Sequence, residues 1–143
     1  MIDLDNTISP WRQNRVTRDA REFFKRAREA GIEVVLFKNA KEARAREAAG
    51  GIGLEVFPEA KKPFPAGYKR VISRLGLNPA QVMTIGDQIF TDTLGGNLAG
   101  CVTVLIPPLE DNEYGGTKVL RFMERLVGVK QSFRRVAGGS DED

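Results

Sequence analysis

The chain reads as an α/β fold in which a mostly parallel sheet is covered by helices on both faces. Three observations predict it. Short, almost wholly apolar runs alternate with amphipathic runs of helical period, the pattern of parallel strands buried on both sides. The alternation persists to about Val127, enough for one ordinary domain in a chain of 143 residues. The acidic and basic side chains that could do chemistry fall at the ends of apolar runs or just beyond, where ligands bind in open α/β sheets.

Each element has a local reason. The opening residues up to Leu4 form the end of a first strand. Ile8 to Val16 reads as a loop, with Pro10 as breaker. Thr17 can cap a helix running to Ala30, with Ala20, Phe23, Phe24 and Ala27 on one face and Gly31 as terminator. Ile32 to Phe37 is a buried strand ending at Lys38-Asn39. Lys41 to Ala49, rich in Ala, Glu and Arg, reads as a second helix stopped by Gly50-Gly51. Leu54 to Phe57 is a short strand. Pro65 sits in the first turn of a third helix that reaches Leu75, with Tyr68, Val71, Ile72 and Leu75 inward and Gly76 closing it. Asn78 to Gln81 reads as a capped turn before a strand from Val82 to Ile85. A helix over about Thr91 to Ala99 and a strand from Cys101 to Ile106 follow. Thr117 can cap a last helix with Leu120, Met123, Leu126 and Val127 apolar. From Gly128 periodicity is lost, and residues 128–143 read as a disordered tail to a domain over residues 1–127.

Composition excludes several chemistries. With no histidine, neither a histidine base nor a histidine-bound zinc is available. The single Cys101 opens an apolar strand, reads as a buried structural thiol, and cannot form an internal disulfide, which fits a cytoplasmic protein. No apolar run is long enough to span a membrane. Net charge is only +3, yet Arg12, Arg15, Arg18, Arg21, Arg26 and Arg28 crowd the front. A solvated helix face explains that, as does attraction to anionic lipid or a polyphosphorylated substrate. No aromatic-basic module accompanies the charge, so no nucleic acid partner is expected.

The chemistry lies in the first seven residues. Asp3 and Asp5 are two apart, so an extended strand presents both carboxylates on one side. One carboxylate can attack phosphorus while the other handles the leaving-group proton, and a Mg²⁺ between them would offset their repulsion. Thr7 follows at once. Downstream come Lys38-Asn39 at a strand end, Lys61-Lys62-Pro63 before a helix, and Gly86-Asp87-Gln88-Ile89-Phe90-Thr91-Asp92 after another strand. An anionic nucleophile approaching an anionic phosphate needs cations, and Lys62 is an obvious supplier.

The order D-x-D-x-T, polar strand end, K-P, G-D-x-x-x-x-D resembles the haloacid dehalogenase (HAD) superfamily. Ala60-Lys61-Lys62-Pro63 and the run from Gly86 through Leu94-Gly95-Gly96-Asn97 are similar to its YqeG-type, subclass IIIA phosphatases. The resemblance runs from Ile2 to about Arg125. It implies a HAD-like Rossmannoid three-layer sandwich and a phosphoric monoester hydrolase. It makes Asp3 the nucleophile, forming an aspartyl-phosphate, and Asp5 the acid and then the base. Lys62 would neutralise the phosphoryl group, with Thr7, Lys38 and Asn39 also at the phosphate. Asp3, Asp5 and Asp87 would hold Mg²⁺, and Asp92 would support the metal shell or orient the lysine. The related phosphatidylglycerophosphate phosphatases suggest a phospholipid headgroup as substrate and peripheral contact with the inner face of a membrane. Neither Thr7 to Lys38 nor Asn39 to Lys62 has room for a cap domain, so the fold is expected to be capless, with an open site suited to large or membrane-borne substrates. Trp11 lies where it can touch headgroups or pack in the loop.

Two features depart from the family. Only Met1 and Ile2 precede Asp3, so the first strand, expected at the sheet centre, reads as truncated; a downstream start assignment or a fragment would account for it. Lys38 occupies the place where the family carries serine, exchanging a neutral donor for a point charge. That exchange keeps an alternative open, a catalytically degenerate HAD domain that binds phosphate or a protein partner. A receiver-type phosphoacceptor is disfavoured, because its acceptor aspartate ends an internal strand and its lysine comes late in the chain. The oligomeric state is not legible in the sequence.

Overall fold

A computed structural model of the chain describes residues 1–10, 13, 15–40, 46–47 and 53–110. The expectations for Trp11 and Arg12, most of the Lys41–Ala49 helix, the Thr117 helix and the tail fall outside those residues. The described elements are α1 (Arg18–Glu29), β1 (Val35–Phe37), β2 (Glu55–Phe57), α2 (Pro65–Arg74), a 3₁₀ turn (Pro79–Gln81), β3 (Met83–Gly86), a π-helical turn (Ile89–Thr93), α3 (Leu94–Leu98) and β4 (Val102–Leu105).

β1 pairs with β2 in parallel through Val35–Glu55, Leu36–Val56 and Phe37–Phe57. β3 pairs with β4 in parallel from Met83–Val102 to Gly86–Leu105. The N-terminal segment joins the two pairs. Ile2 bridges Leu36 on one side and Ile85 on the other, both in parallel. Its amide donates to the Val35 carbonyl at 2.9 Å, and the Phe37 amide donates to the Ile2 carbonyl at 2.9 Å. On the other side the Asp3 amide donates to the Ile85 carbonyl at 2.9 Å, and the Ile85 amide to the Met1 carbonyl at 3.0 Å. The spatial order is therefore β2, β1, the opening segment, β3, β4. Asp3 thus stands at the middle of the sheet, held by its main chain on the β3 side.

Alternation along β1 divides the core in two. Leu36 joins Ile2, Leu4, Ile8, Val16, Ala20 and Phe24 under α1. Val35 and Phe37 join Phe57, Tyr68, Val71, Ile72, Val82 and Ala99 on the opposite face, under α2 and α3. Both faces are covered, as near-continuous apolar strands require.

Several local expectations are refined. In α1 the Thr17 hydroxyl accepts from the Ala20 amide at 3.3 Å, and Ala20, Phe24 and Ala27 are buried. Phe23 was expected on that face but is 42% exposed; it lies beside Phe24 and only touches its ring edge. The strand read from Ile32 is confined to Val35–Phe37, with Ile32 itself exposed. The helix read from Thr91 begins as a π-helical turn and becomes α-helical only at Leu94. Gln81 Oε1 accepts from the Asn78 amide at 2.9 Å, closing the turn before β3. Cys101 is buried, and burial pushes its thiol pKa up, away from reactive thiolate. Among the described residues no helix is long and apolar enough to cross a membrane.

Candidate active site

Because the central strands are parallel and in register, the residues that follow them emerge at one end of the sheet. Asp3 and Asp5 follow the opening segment, Lys38 and Asn39 follow β1, Asp87 follows β3, and Lys62 follows β2 through a curled loop. Glu59 and Lys61 in that loop have φ of 50° and 52°, and the Lys62–Pro63 peptide is cis.

Lys62 is the hub. Its Nζ lies 2.5 Å from Asp3 Oδ1 and 2.7 Å from Asp92 Oδ1, and its side chain is 4% exposed. The Asn39 side chain holds the Lys62 main chain from both ends. Asn39 Oδ1 accepts from the Lys62 amide at 2.8 Å, and Asn39 Nδ2 donates to the Lys62 carbonyl at 3.0 Å. Asn39 was expected at the phosphate; both its polar atoms bond the lysine loop instead.

Asp92 is placed by the π-helical turn. Its Oδ2 accepts from the Gln88 amide and from the Thr91 hydroxyl, each at 3.3 Å, while its amide donates to the Gln88 carbonyl at 3.0 Å. Gly86 makes room for it: a Cβ there would overlap the Asp92 carboxylate.

The remaining charges pair beside this hub. Lys38 Nζ lies 2.7 Å from Asp5 Oδ2, with the two side chains 8% and 14% exposed. Asp87 is fully buried, and its Oδ1 accepts from the Thr7 hydroxyl at 3.3 Å. Thr7 was expected at the phosphate, and its hydroxyl is turned to Asp87. Asn6, at φ 61°, ties the loop after Asp5 to the chain beyond β4. Its Nδ2 donates to the Glu110 carbonyl at 2.9 Å and its Oδ1 accepts from the Glu110 amide at 3.1 Å.

Burial raises the Asp3 pKa to about 6, against the pull of Lys62 and with the help of Asp92 and Asp5. Burial alone would lower the Lys62 pKa, but Asp3 and Asp92 more than reverse this, so the ammonium stays charged. One ammonium shared by two carboxylates cannot fully compensate either.

The four carboxylates expected around a metal, Asp3, Asp5, Asp87 and Asp92, are not gathered as ligands. Among the described residues no group of three or more Asp, Glu, Cys or His side chains stands close enough to hold an ion. Each carboxylate is turned to a nearer donor: Asp3 and Asp92 to Lys62, Asp5 to Lys38, Asp87 to Thr7. The donor set nonetheless fits Mg²⁺. It is all oxygen, and the carboxylates outnumber the two ammonium groups by the charge of one divalent cation. Burial, with a smaller contribution from Asp92 and Asp5, raises the Asp3 pKa, and a cation beside it would favour the charged carboxylate.

Sequence reasoning found the charged residues and missed three of their supports. Asn6 carried a signal, since Asn tolerates positive φ. Gln88 acts mainly through its main chain, with its Oε1 also accepting from the Thr91 hydroxyl at 3.2 Å. Tyr68 was read as core only, whereas its hydroxyl donates to the Thr91 carbonyl at 2.8 Å. Gly95 permits close packing, since a Cβ there would lie 2.7 Å from the Tyr68 ring. Asn97 Oδ1 accepts from the Thr103 hydroxyl at 3.0 Å, in the helix–strand packing.

Comparison with known proteins gives the family and the fold. The haloacid dehalogenase-like hydrolase family matches residues 3–100. "Probable phosphatase YqeG" of Bacillus subtilis is 32% identical over 127 residues, covering 89% of this chain and 74% of that protein. Two solved structures share the fold. An uncharacterized protein from Listeria monocytogenes superposes with a TM-score of 0.66 at 14% identity, over 79% of this chain and 82% of its own. A D,D-heptose 1,7-bisphosphate phosphatase from B. bronchiseptica, complexed with magnesium and phosphate, superposes at 0.57 with 21% identity, over 73% and 77%. The chain belongs to the haloacid dehalogenase-like hydrolases and is of the YqeG type.

Proposed function

We propose that this hydrolase, a phosphatase by family, cleaves phosphomonoesters with Mg²⁺ through an aspartyl-phosphate on Asp3. The observation that carries the reading is the buried Lys62 ammonium shared by Asp3 and Asp92. It steadies the Asp3 carboxylate at Oδ1 and leaves Oδ2 to attack phosphorus in line. The P–O ester bond breaks as the Asp3–phosphorus bond forms, and Asp5 gives its proton to the departing alcohol. Asp5 then takes a proton from the water that hydrolyses the phosphoenzyme, releasing phosphate and restoring Asp3. Lys62 and Lys38 offset charge on the phosphoryl oxygens, and Thr7 and Asn39 act one step back, on Asp87 and on the lysine loop. Asp3, the Asp5 carbonyl and Asp87 are the residues to hold Mg²⁺, with Asp92 supporting from Lys62. When bound, the ion supplies positive charge to the phosphoryl oxygens and to the crowded carboxylates.

The substrate favoured is a phosphate on a large or membrane-borne molecule, with phosphatidylglycerophosphate as the case to test. No cap separates the site from solvent in this reading. Arg18, Arg21 and Arg28 on exposed turns of α1 suit an anionic surface, and peripheral contact with the inner membrane face follows.

One observation favours a second reading. Asp5, the intended acid, is engaged by Lys38 at 2.7 Å, which suits a domain that binds phosphate without turning it over. The test is phosphate release from an aryl phosphate and from phosphatidylglycerophosphate, with Mg²⁺ and with EDTA, in wild type and Asp3→Asn. The reading expects Mg²⁺-dependent turnover that Asp3→Asn lowers by at least about three orders of magnitude while the melting curve stays cooperative. Phosphate binding without any turnover would favour the second reading, and metal-independent release by Asp3→Asn would place the activity elsewhere.

A further inference from the structure

Tyr68 is fully buried on α2, six residues after Lys62 and far in sequence from the turn that carries Asp92. Its hydroxyl reaches that turn, donating to the Thr91 carbonyl at 2.8 Å with the Asp92 carbonyl at 3.4 Å. Burial pushes the phenol pKa up, so the hydroxyl remains a donor. Its ring meets Phe37 edge to face at 4.6 Å, and the Lys62 ammonium stands 5.7 Å from the centroid of that same Phe37 ring. Lys62 itself returns to Asp92 at 2.7 Å. The contacts form a closed circuit: Lys62, Phe37, Tyr68, the 91–92 main chain, the Asp92 carboxylate, and Lys62 again.

A π-helical turn is a rare backbone form that is frequent at functional sites. Here it is bonded by a side-chain hydroxyl from the helix that begins just after Lys62. Gly95 clears the path, since a Cβ there would lie 2.7 Å from the Tyr68 ring and hydroxyl and 2.9 Å from the Pro63 carbonyl. The clearance serves the ring as well as the hydroxyl, so what links Tyr68 to the turn is the hydroxyl bond to the Thr91 carbonyl.

We infer that Tyr68 is a positioning residue: through its hydroxyl on the Thr91–Asp92 main chain it fixes Asp92 and thereby the place of the Lys62 ammonium in the phosphate site. This rests on the phosphatase reading for its kinetic consequence, and on geometry alone for the turn.

The test compares Tyr68→Phe, which keeps the ring and removes the hydroxyl, with Val71→Ala, which opens the buried face of the same helix one turn further on and removes no polar group. Three quantities are read: amide hydrogen exchange at Gln88 and Asp92, the inhibition constant of inorganic phosphate, and kcat and KM for an aryl phosphate. Tyr68→Phe should speed exchange at both amides and weaken phosphate inhibition about tenfold, with kcat reduced and Val71→Ala unchanged in all three despite a lower melting temperature. Exchange and inhibition within twofold of wild type in Tyr68→Phe would overturn the inference. So would equal changes in Val71→Ala, because these would mark general loosening of α2. If the wild-type protein neither turns over the ester nor binds phosphate, the phosphatase reading has failed. Exchange at Gln88 and Asp92 then decides for or against Tyr68 by itself.

Discussion

Breaking the Lys38–Asp5 pair should be measurable without any substrate. At 2.7 Å the two charges attract by about 6 kcal/mol for an effective dielectric near 20. Desolvation consumes much of that, because the side chains are only 8% and 14% exposed. Close charge pairs retain a coupling of roughly 1.5–7 kcal/mol in double-mutant cycles, and partial exposure of Asp5 argues for the lower half, near about 3 kcal/mol. Lys38→Met removes the charge and keeps most of the length, so it leaves a buried carboxylate without its cation. Asp5→Asn removes the opposite charge. Each single variant should lose about 3 kcal/mol, and the double variant far less than the sum. Urea unfolding of all four proteins, at one pH and ionic strength, gives the coupling directly. A coupling under about 0.5 kcal/mol would mean that the pair is not formed in solution, and Lys38 would then be free to meet phosphate. Lys38→Ser should in either case weaken inhibition by inorganic phosphate, because it exchanges a charge for a neutral donor.

Two further outcomes follow from the same site. The Asp3 pKa is raised from 3.8 to about 6 by burial, so the folded protein holds a proton there that the unfolded chain has released. Its stabilising contribution is complete below pH 3.8 and is lost as pH rises through about 6; subtracting urea curves of Asp3→Asn from wild type between pH 4 and 7 should show that decline, and a flat difference would contradict the raised pKa. Gly86→Ala forces a methyl group into the Asp92 carboxylate, so it should cost about 2 kcal/mol and displace Asp92 from Lys62. Thermal melting together with phosphate affinity reads both effects, and wild-type values in both would show that the turn yields at no cost.

Much of the fold was legible in the chain because burial on two faces leaves a pattern. β1 and β3 appear as apolar runs, and α1 and α2 announce themselves by period, by Thr17 and Pro65 at their starts, and by Gly31 and Gly76 at φ of 72° and 66° just past their ends. The π-helical turn was invisible, since Gln88 to Thr93 has no composition that separates one extra residue per turn from an ordinary helix start. Phe23 misled because apolarity was read as burial, and a helix edge can expose such a ring.

The sequence by itself determined which charged groups the site contains and at which end of a parallel sheet they emerge, since i, i+2 spacing and strand ends are properties of local geometry. It did not determine who pairs with whom. Lys62 could have faced one carboxylate or a phosphate alone; the curled loop and the Asn39 clamp aim it between Asp3 and Asp92. Lys38 could have pointed at solvent, and β1 beside the opening segment brings it to Asp5. Tyr68 as core filler and Tyr68 as support of the Asp92 turn have the same sequence pattern. Periodicity encodes which face a side chain takes, whereas the partner it meets depends on residues tens of positions away, and only packing brings those within hydrogen-bond distance.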